Sequence, residues 1–146
     1  MNLLGIDYGT KRIGLSFSDS EVGFAFPLAA IQVTDRTKAI EEVVAVVREK
    51  RIHQIVVGYP INMDDSIGFK AKEVDRFIED LSTKISCPIE RMDERLTSEA
   101  VQDMQGHRSP GNRQNMRKKG TIDSVAATII LQDYLDIHTN IVDEGL

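Results

Sequence analysis

The hydrophobic pattern of this chain changes period once, near residue 34, and that change limits the folds open to it. Before it, apolar residues come in short or alternating runs. Leu3 to Asp7 is a turn-bounded apolar stretch. In Arg12 to Ser18, Ile13, Leu15 and Phe17 share one face and Arg12, Gly14, Ser16 and Ser18 the other. Phe24 to Val33 is a third extended run. Period two marks strands. The short link through Gly9 predicts an antiparallel hairpin whose second strand is half-buried. Pro27 predicts an edge position or a bulge for the third strand, because proline has no N–H for a ladder. After residue 34 the period becomes helical. Thr34 or Asp35 can cap a helix running to about Lys50, with Ile40, Val43, Val44 and Val47 inward. Ile55, Val56 and Val57 then form the centre of a strand, Gln54 to Gly58, of the kind covered on both faces in parallel sheets.

A loop from Tyr59 to Gly68 leads to a second helix, from about Phe69 to Lys84, with Ala71, Val74, Ile78 and Leu81 inward. Pro88 to Asp93 reads as a further strand. Thr97 can cap a third helix, with Val101 and Met104 inward. A last helix is expected from near Thr121 to Leu135, its buried side marked by Val125, Ala126 and Ile129. A meander followed by two crossover units makes an α/β fold: a mixed sheet of three antiparallel and then two parallel strands, flanked by helices. Right-handed crossovers would set the fourth and fifth strands beside the first. A chain of 146 residues predicts one domain, here 1–138, with 139–146 as a flexible acidic tail.

Charge is segregated. The net charge of −5 counts against a nucleic-acid partner, which needs local positive potential. Yet residues 106–119 (GHRSPGNRQNMRKK) hold five Lys or Arg and no acid, whereas 132–146 (QDYLDIHTNIVDEGL) hold four acids and no Lys or Arg. The average hides a basic loop and an acidic terminus. One cysteine, Cys87, excludes an internal disulfide and fits a reducing compartment. No apolar run reaches the roughly 18 residues that span a bilayer, and no signal-peptide pattern opens the chain, so a cytoplasmic protein without membrane contact is expected.

In open sheets of this kind, sites form at the carboxyl ends of the parallel strands. Strand one ends at Asp7, strand five in Asp93-Glu94-Arg95, and the last helix begins Thr121-Ile122-Asp123. Three distant segments can therefore deliver carboxylates to one edge: Asp7, Glu94 (or Asp93) and Asp123. Crowded carboxylates raise one another's pKa unless something neutralises them. Mg2+ or Mn2+ suits an all-oxygen donor set, and two such ions can clamp the attacking and leaving oxygens of a phosphodiester. Thr10, Lys11, Arg12, Asn62, Arg95, Lys118 and Lys119 are the candidates to hold substrate around them. His53, His107 and His138 lack ligand-like spacing.

The stretches GIDYGTKRIGLSFSD, VVGYPINMD, MDERLTSEA and KKGTIDSVAATIILQDYLD resemble the YqgF-type family, whose members are Holliday-junction-resolvase-like or pre-16S rRNA nucleases. The matches follow the family's order and span Gly5 to Asp136. The resemblance implies a ribonuclease H-like fold and a metal-dependent nuclease that matures the 5′ end of small-subunit ribosomal RNA, or alternatively cuts branched DNA junctions. It assigns the family's first acid to Asp7, the acid of its D-E-R-x-T motif to Glu94, with Asp93 adjacent as a substitute, and its last acid to Asp123. Related junction resolvases carry their second carboxylate on the strand that here ends Val57-Gly58-Tyr59, where this chain has none; Glu94, Asp64 or Asp65 would have to serve. Residues 105–114 form a longer, more polar link than the family's usual one. The expected partner is nucleic acid, and the expected state a monomer or weak homodimer. Two rival readings remain: nucleotide binding, since Asp-x-Gly-Thr also follows the first strand of actin-like ATPases and sugar kinases, and a non-catalytic RNA-binding module.

Overall fold

The computed structural model describes residues 1–19, 21–61, 66–93 and 124–145, with side chains of the last helix up to His138. Five strands and three helices lie in these segments: β1 Asn2–Tyr8, β2 Arg12–Asp19, β3 Phe26–Gln32, α1 Arg36–Glu49, β4 Gln54–Tyr59, α2 Phe69–Ser82, β5 Ile89–Asp93 and α3 Val125–Gly145. The sheet order is β3-β2-β1-β4-β5. β1 pairs antiparallel with β2 and parallel with β4, and β4 parallel with β5. β4 therefore lies beside β1 and β5 beyond it, both on the side away from the meander, the order expected of right-handed crossovers. β3 is the edge strand that Pro27 demands, and its pairing with β2 slips between Ile13 and Leu15.

The first helix forms for a visible local reason. Asp35 caps α1, its carboxylate accepting from the Thr37 N–H at 2.8 Å. The inward stripes of α1 and α2 are those the spacing predicts, with Ala39 added to the first and Phe77 to the second. These stripes bury Leu4 and Ile6 of β1, Ile13 and Leu15 of β2, and Ile55, Val57 and Tyr59 of β4 in one core. A smaller core on the opposite face joins Leu3, Val56 and Met92 to Ile130, Leu131 and Leu135 of α3.

The second core corrects two expectations. β2 is buried on both faces, because α3 covers its polar side: Gly14, Ser16 and Ser18 are all buried. Small residues make that cover possible. A Cβ on Gly5 would overlap Ser16 Oγ and come within 2.9 Å of both the Ala127 carbonyl oxygen and Leu131 Cβ. Ser16 Oγ donates to the Ala127 carbonyl at 2.7 Å, so its burial leaves no unmet polar group. The inward face of α3 is accordingly Ala127, Ile130, Leu131 and Leu135, while Val125, Ala126 and Ile129 are only half-buried. The start of α3 is apolar on nearly every side, which leaves its periodicity ambiguous. The helix also continues to Gly145, ten residues beyond Leu135. Among the described residues no helix is long and apolar enough to cross a membrane.

Candidate active site

Asp7 occupies the next-to-last position of β1, opposite Gly14 of β2. Strand alternation places its side chain with Leu3 and Gly5, on the face that α3 covers. The carboxyl is half-buried, and desolvation pushes its pKa up from the ordinary value, opposed by the positive charge of Lys70. An ionised Asp7 is therefore held at a cost, and a cation placed against it would relieve that cost.

The turn after β1 is tight. A Cβ on Gly9 would lie 2.6 Å from the Arg12 carbonyl oxygen, so only glycine fits there. The Lys11 carbonyl accepts from the Val33 N–H at 2.9 Å, which ties the turn to the end of β3. Beneath it, Tyr8 stacks on Phe77 of α2, ring centroids 4.6 Å apart and planes at 23°. On this anchored base Thr10, Lys11 and Arg12 stand exposed. With Asp7 they line a pocket of about 540 Å³, whose far wall is Phe69, Lys70 and Glu73 at the start of α2.

The beginning of α3 is fixed beside the same place. The Leu15 amide N–H, one residue past Gly14, donates to Ser124 Oγ at 3.0 Å. Thr128 Oγ1 donates back to the Ser124 carbonyl at 2.8 Å. Ser124 is fully buried. Residue 124 is thus pinned next to the register partner of Asp7.

Of the residues expected from sequence, the structure brings Asp7, Thr10, Lys11 and Arg12 together. Asp93 stands apart. It pairs with Tyr59, whose side chain lies in the core under α1 and α2, so alternation turns Asp93 to the face opposite Asp7. That face holds a separate network, in which Tyr59 Oη donates to Asp75 at 2.7 Å and Arg91 Nε donates to the same carboxylate at 3.0 Å. Met92, not Asp93, shares the face of Asp7, and Asp93 is the last residue of β5. Asn62, Asp64, Asp65, Glu94, Arg95, Lys118, Lys119 and Asp123 lie outside the described residues, as does the helix expected after Thr97. Among the described residues no three His, Cys, Asp or Glu side chains cluster as a metal site. The donors that are present still suit a hard divalent ion, because the pocket offers carboxylate and hydroxyl oxygens from Asp7, Glu73 and Thr10 and no thiolate or imidazole.

Sequence reasoning missed Phe69, Lys70 and Glu73. A signal existed: the first turn of α2 carries no acid, and position 69 lies off the inward stripe.

Residues 1–137 match the family described as RuvX: Holliday junction resolvase. A relative from Opitutus terrae, named "Putative pre-16S rRNA nuclease", is 44% identical over 137 residues, covering 93% of this chain and 92% of the relative. One of the same name from Chloroflexus aggregans is 41% identical over 138 residues, 94% and 95% of the two chains. The fold is similar to that of T. thermophilus RuvC in complex with a Holliday junction substrate, with a TM-score of 0.58, 13% identity and coverage of 94% and 96%. It is similar also to Fowlpox virus resolvase in complex with Holliday junction DNA, with a TM-score of 0.54, 13% identity and coverage of 93% and 97%.

Proposed function

The chain belongs to the RuvX family of Holliday junction resolvases, and from that premise we propose that it is a metal-dependent nuclease cutting phosphodiester bonds in the 5′-end maturation of pre-16S ribosomal RNA. The names of the relatives at 41% to 44% identity support the RNA substrate over the DNA junction. The observation that carries the site is the hydrogen bond from the Leu15 N–H to Ser124 Oγ. It fixes residue 124 beside Gly14, the register partner of Asp7, and this supports assigning the preceding acid, Asp123, to the same site. Met92 of β5 shares the face of Asp7, which supports drawing the second carboxylate, Glu94, from the segment that follows that strand. Asp7, Glu94 and Asp123 are on this reading the three carboxylates of the site.

These three would hold Mg2+ or Mn2+, which supplies Lewis acidity and an activated water for in-line displacement at phosphorus. The chain's own groups do the rest. Asp7, held in the β1–β2 ladder, would present its carboxylate oxygens to the ion from a fixed position. Thr10, Lys11 and Arg12 bind the phosphates flanking the scissile bond, and Lys70 neutralises charge across the pocket. Asn62, Arg95, Lys118 and Lys119 extend this contact along the strand. Displacement of the 3′ oxygen by water would leave 5′-phosphate and 3′-hydroxyl ends.

Labelled RNA spanning the 5′ end of 16S rRNA and a labelled four-way DNA junction, each incubated with Mg2+, Mn2+ or EDTA, test the reading. Cleavage of the RNA with either ion and none in EDTA is expected. Cutting of the junction alone would transfer the assignment to DNA, and cutting of neither would leave a binding module.

A further inference from the structure

Phe69 is 77% exposed, more than any other large apolar side chain among the described residues. Single exposed apolar residues are common, and alone they mean little. This one opens α2, whose inward stripe of Ala71, Val74, Phe77, Ile78 and Leu81 leaves it out, and it packs in neither core. Phe77, two turns along, is by contrast fully buried and stacks on Tyr8. Lys70 follows Phe69. A cation in a first turn opposes the helix macrodipole. Here no acid accompanies it, and Gly68 offers no side-chain cap. Both residues thus work against the helix they begin. Local rules broken without gain to the fold mark functional positions. Both also line the pocket of Asp7, facing Thr10, Lys11 and Arg12.

The geometry points to a base-and-phosphate clamp: the Phe69 ring stacks on a nucleobase next to the scissile step while Lys70 holds the adjoining phosphate. This rests on the nuclease reading and adds to it a substrate class, a strand whose base at that step is unpaired. A base inside a duplex has both faces covered by its neighbours and offers none to the ring. A flat apolar ring beside a cation is the arrangement by which proteins hold single strands without reading sequence.

The test measures affinity by fluorescence anisotropy in EDTA, where nothing is cut. The ligand is a labelled single-stranded RNA with one abasic position walked along it. Wild type and Phe69→Trp should lose about ten- to a hundredfold in affinity when the abasic position meets the ring. Phe69→Ala should bind intact and abasic strands alike, at that weakened level. Lys70→Ala should lower the slope of log affinity against log salt by about one. The perfect duplex of the same sequence should bind wild type no better than Phe69→Ala. An exposed position predicts that Phe69→Ala melts within about 2 °C of wild type. Equal affinity of wild type and Phe69→Ala for the intact strand, an abasic penalty that survives in Phe69→Ala, or equal binding of duplex and single strand would each overturn the clamp. Failure of wild type to cut in Mn2+ would overturn the nuclease reading while leaving the clamp standing.

Discussion

At the scale of single residues, Asp7 combines an unfavourable position with the metal-holding role proposed for it. Burial raises its pKa, and the Lys70 charge only partly offsets this. The sign of the linkage follows. A group whose folded pKa lies above its unfolded value contributes stability below the unfolded value and loses it as pH rises through the folded one. Ionised Asp7 therefore destabilises the metal-free fold at neutral pH. Asp7→Asn is expected to melt higher than wild type at pH 7 without metal, with the difference shrinking as pH falls below the carboxylate range. Adding Mn2+ should raise the melting temperature of wild type and leave Asp7→Asn unchanged. Thermal denaturation across pH, with and without the ion, checks both. The sequence made Asp7 legible because a carboxylate closing an apolar strand is a conspicuous exception. Lys70 was legible only as a cation in a first turn without acids, because only the folded chain brings the start of α2 to the pocket of Asp7.

At the scale of elements, α3 is the piece that the sequence placed least well. Its apolar residues surround the helix, so periodicity could not choose a face; the choice lies in the trough of Gly5, Gly14 and Ser16, which reads in sequence as mere strand polarity. Gly5→Ala is expected to destabilise the protein by about 1–3 kcal/mol, measured by denaturant titration, because the new methyl meets backbone and a buried hydroxyl. At the other end of the contact, Tyr134 Oη donates to Glu90 at 2.8 Å, and Gln54 Nε2 donates to that same carboxylate at 2.8 Å, joining α3 to β4 and β5. Desolvation, then the Glu90 hydrogen bond and charge, push the Tyr134 pKa up to about 12. Its folded value is raised, so its contribution holds below the ordinary value near 10 and is lost as pH rises toward 12. Tyr134→Phe should cost about 0.5–1.5 kcal/mol at neutral pH and flatten the loss of stability between pH 10 and 12.

At the scale of the whole molecule, the order of the described elements was legible, because the strands and the first two helices are short and strongly patterned. Strand order followed from handedness alone, and Pro27 announced the edge. The site was legible only in part. Carboxylates at strand ends can be listed from sequence, but which face each one takes depends on register, and register set Asp93 apart from Asp7. The fold gathers a desolvated acid, an anchored cationic turn and the pinned start of α3 at one sheet edge, an arrangement suited to cutting a polyanion with a divalent ion. The most direct measurement is the rate of Mn2+-dependent cleavage of labelled single-stranded RNA by wild type and by Asp7→Asn. The account predicts a loss of at least about a hundredfold, the scale on which removal of one preorganised polar group acts in an active site. Cleavage by Asp7→Asn at the wild-type rate would contradict it.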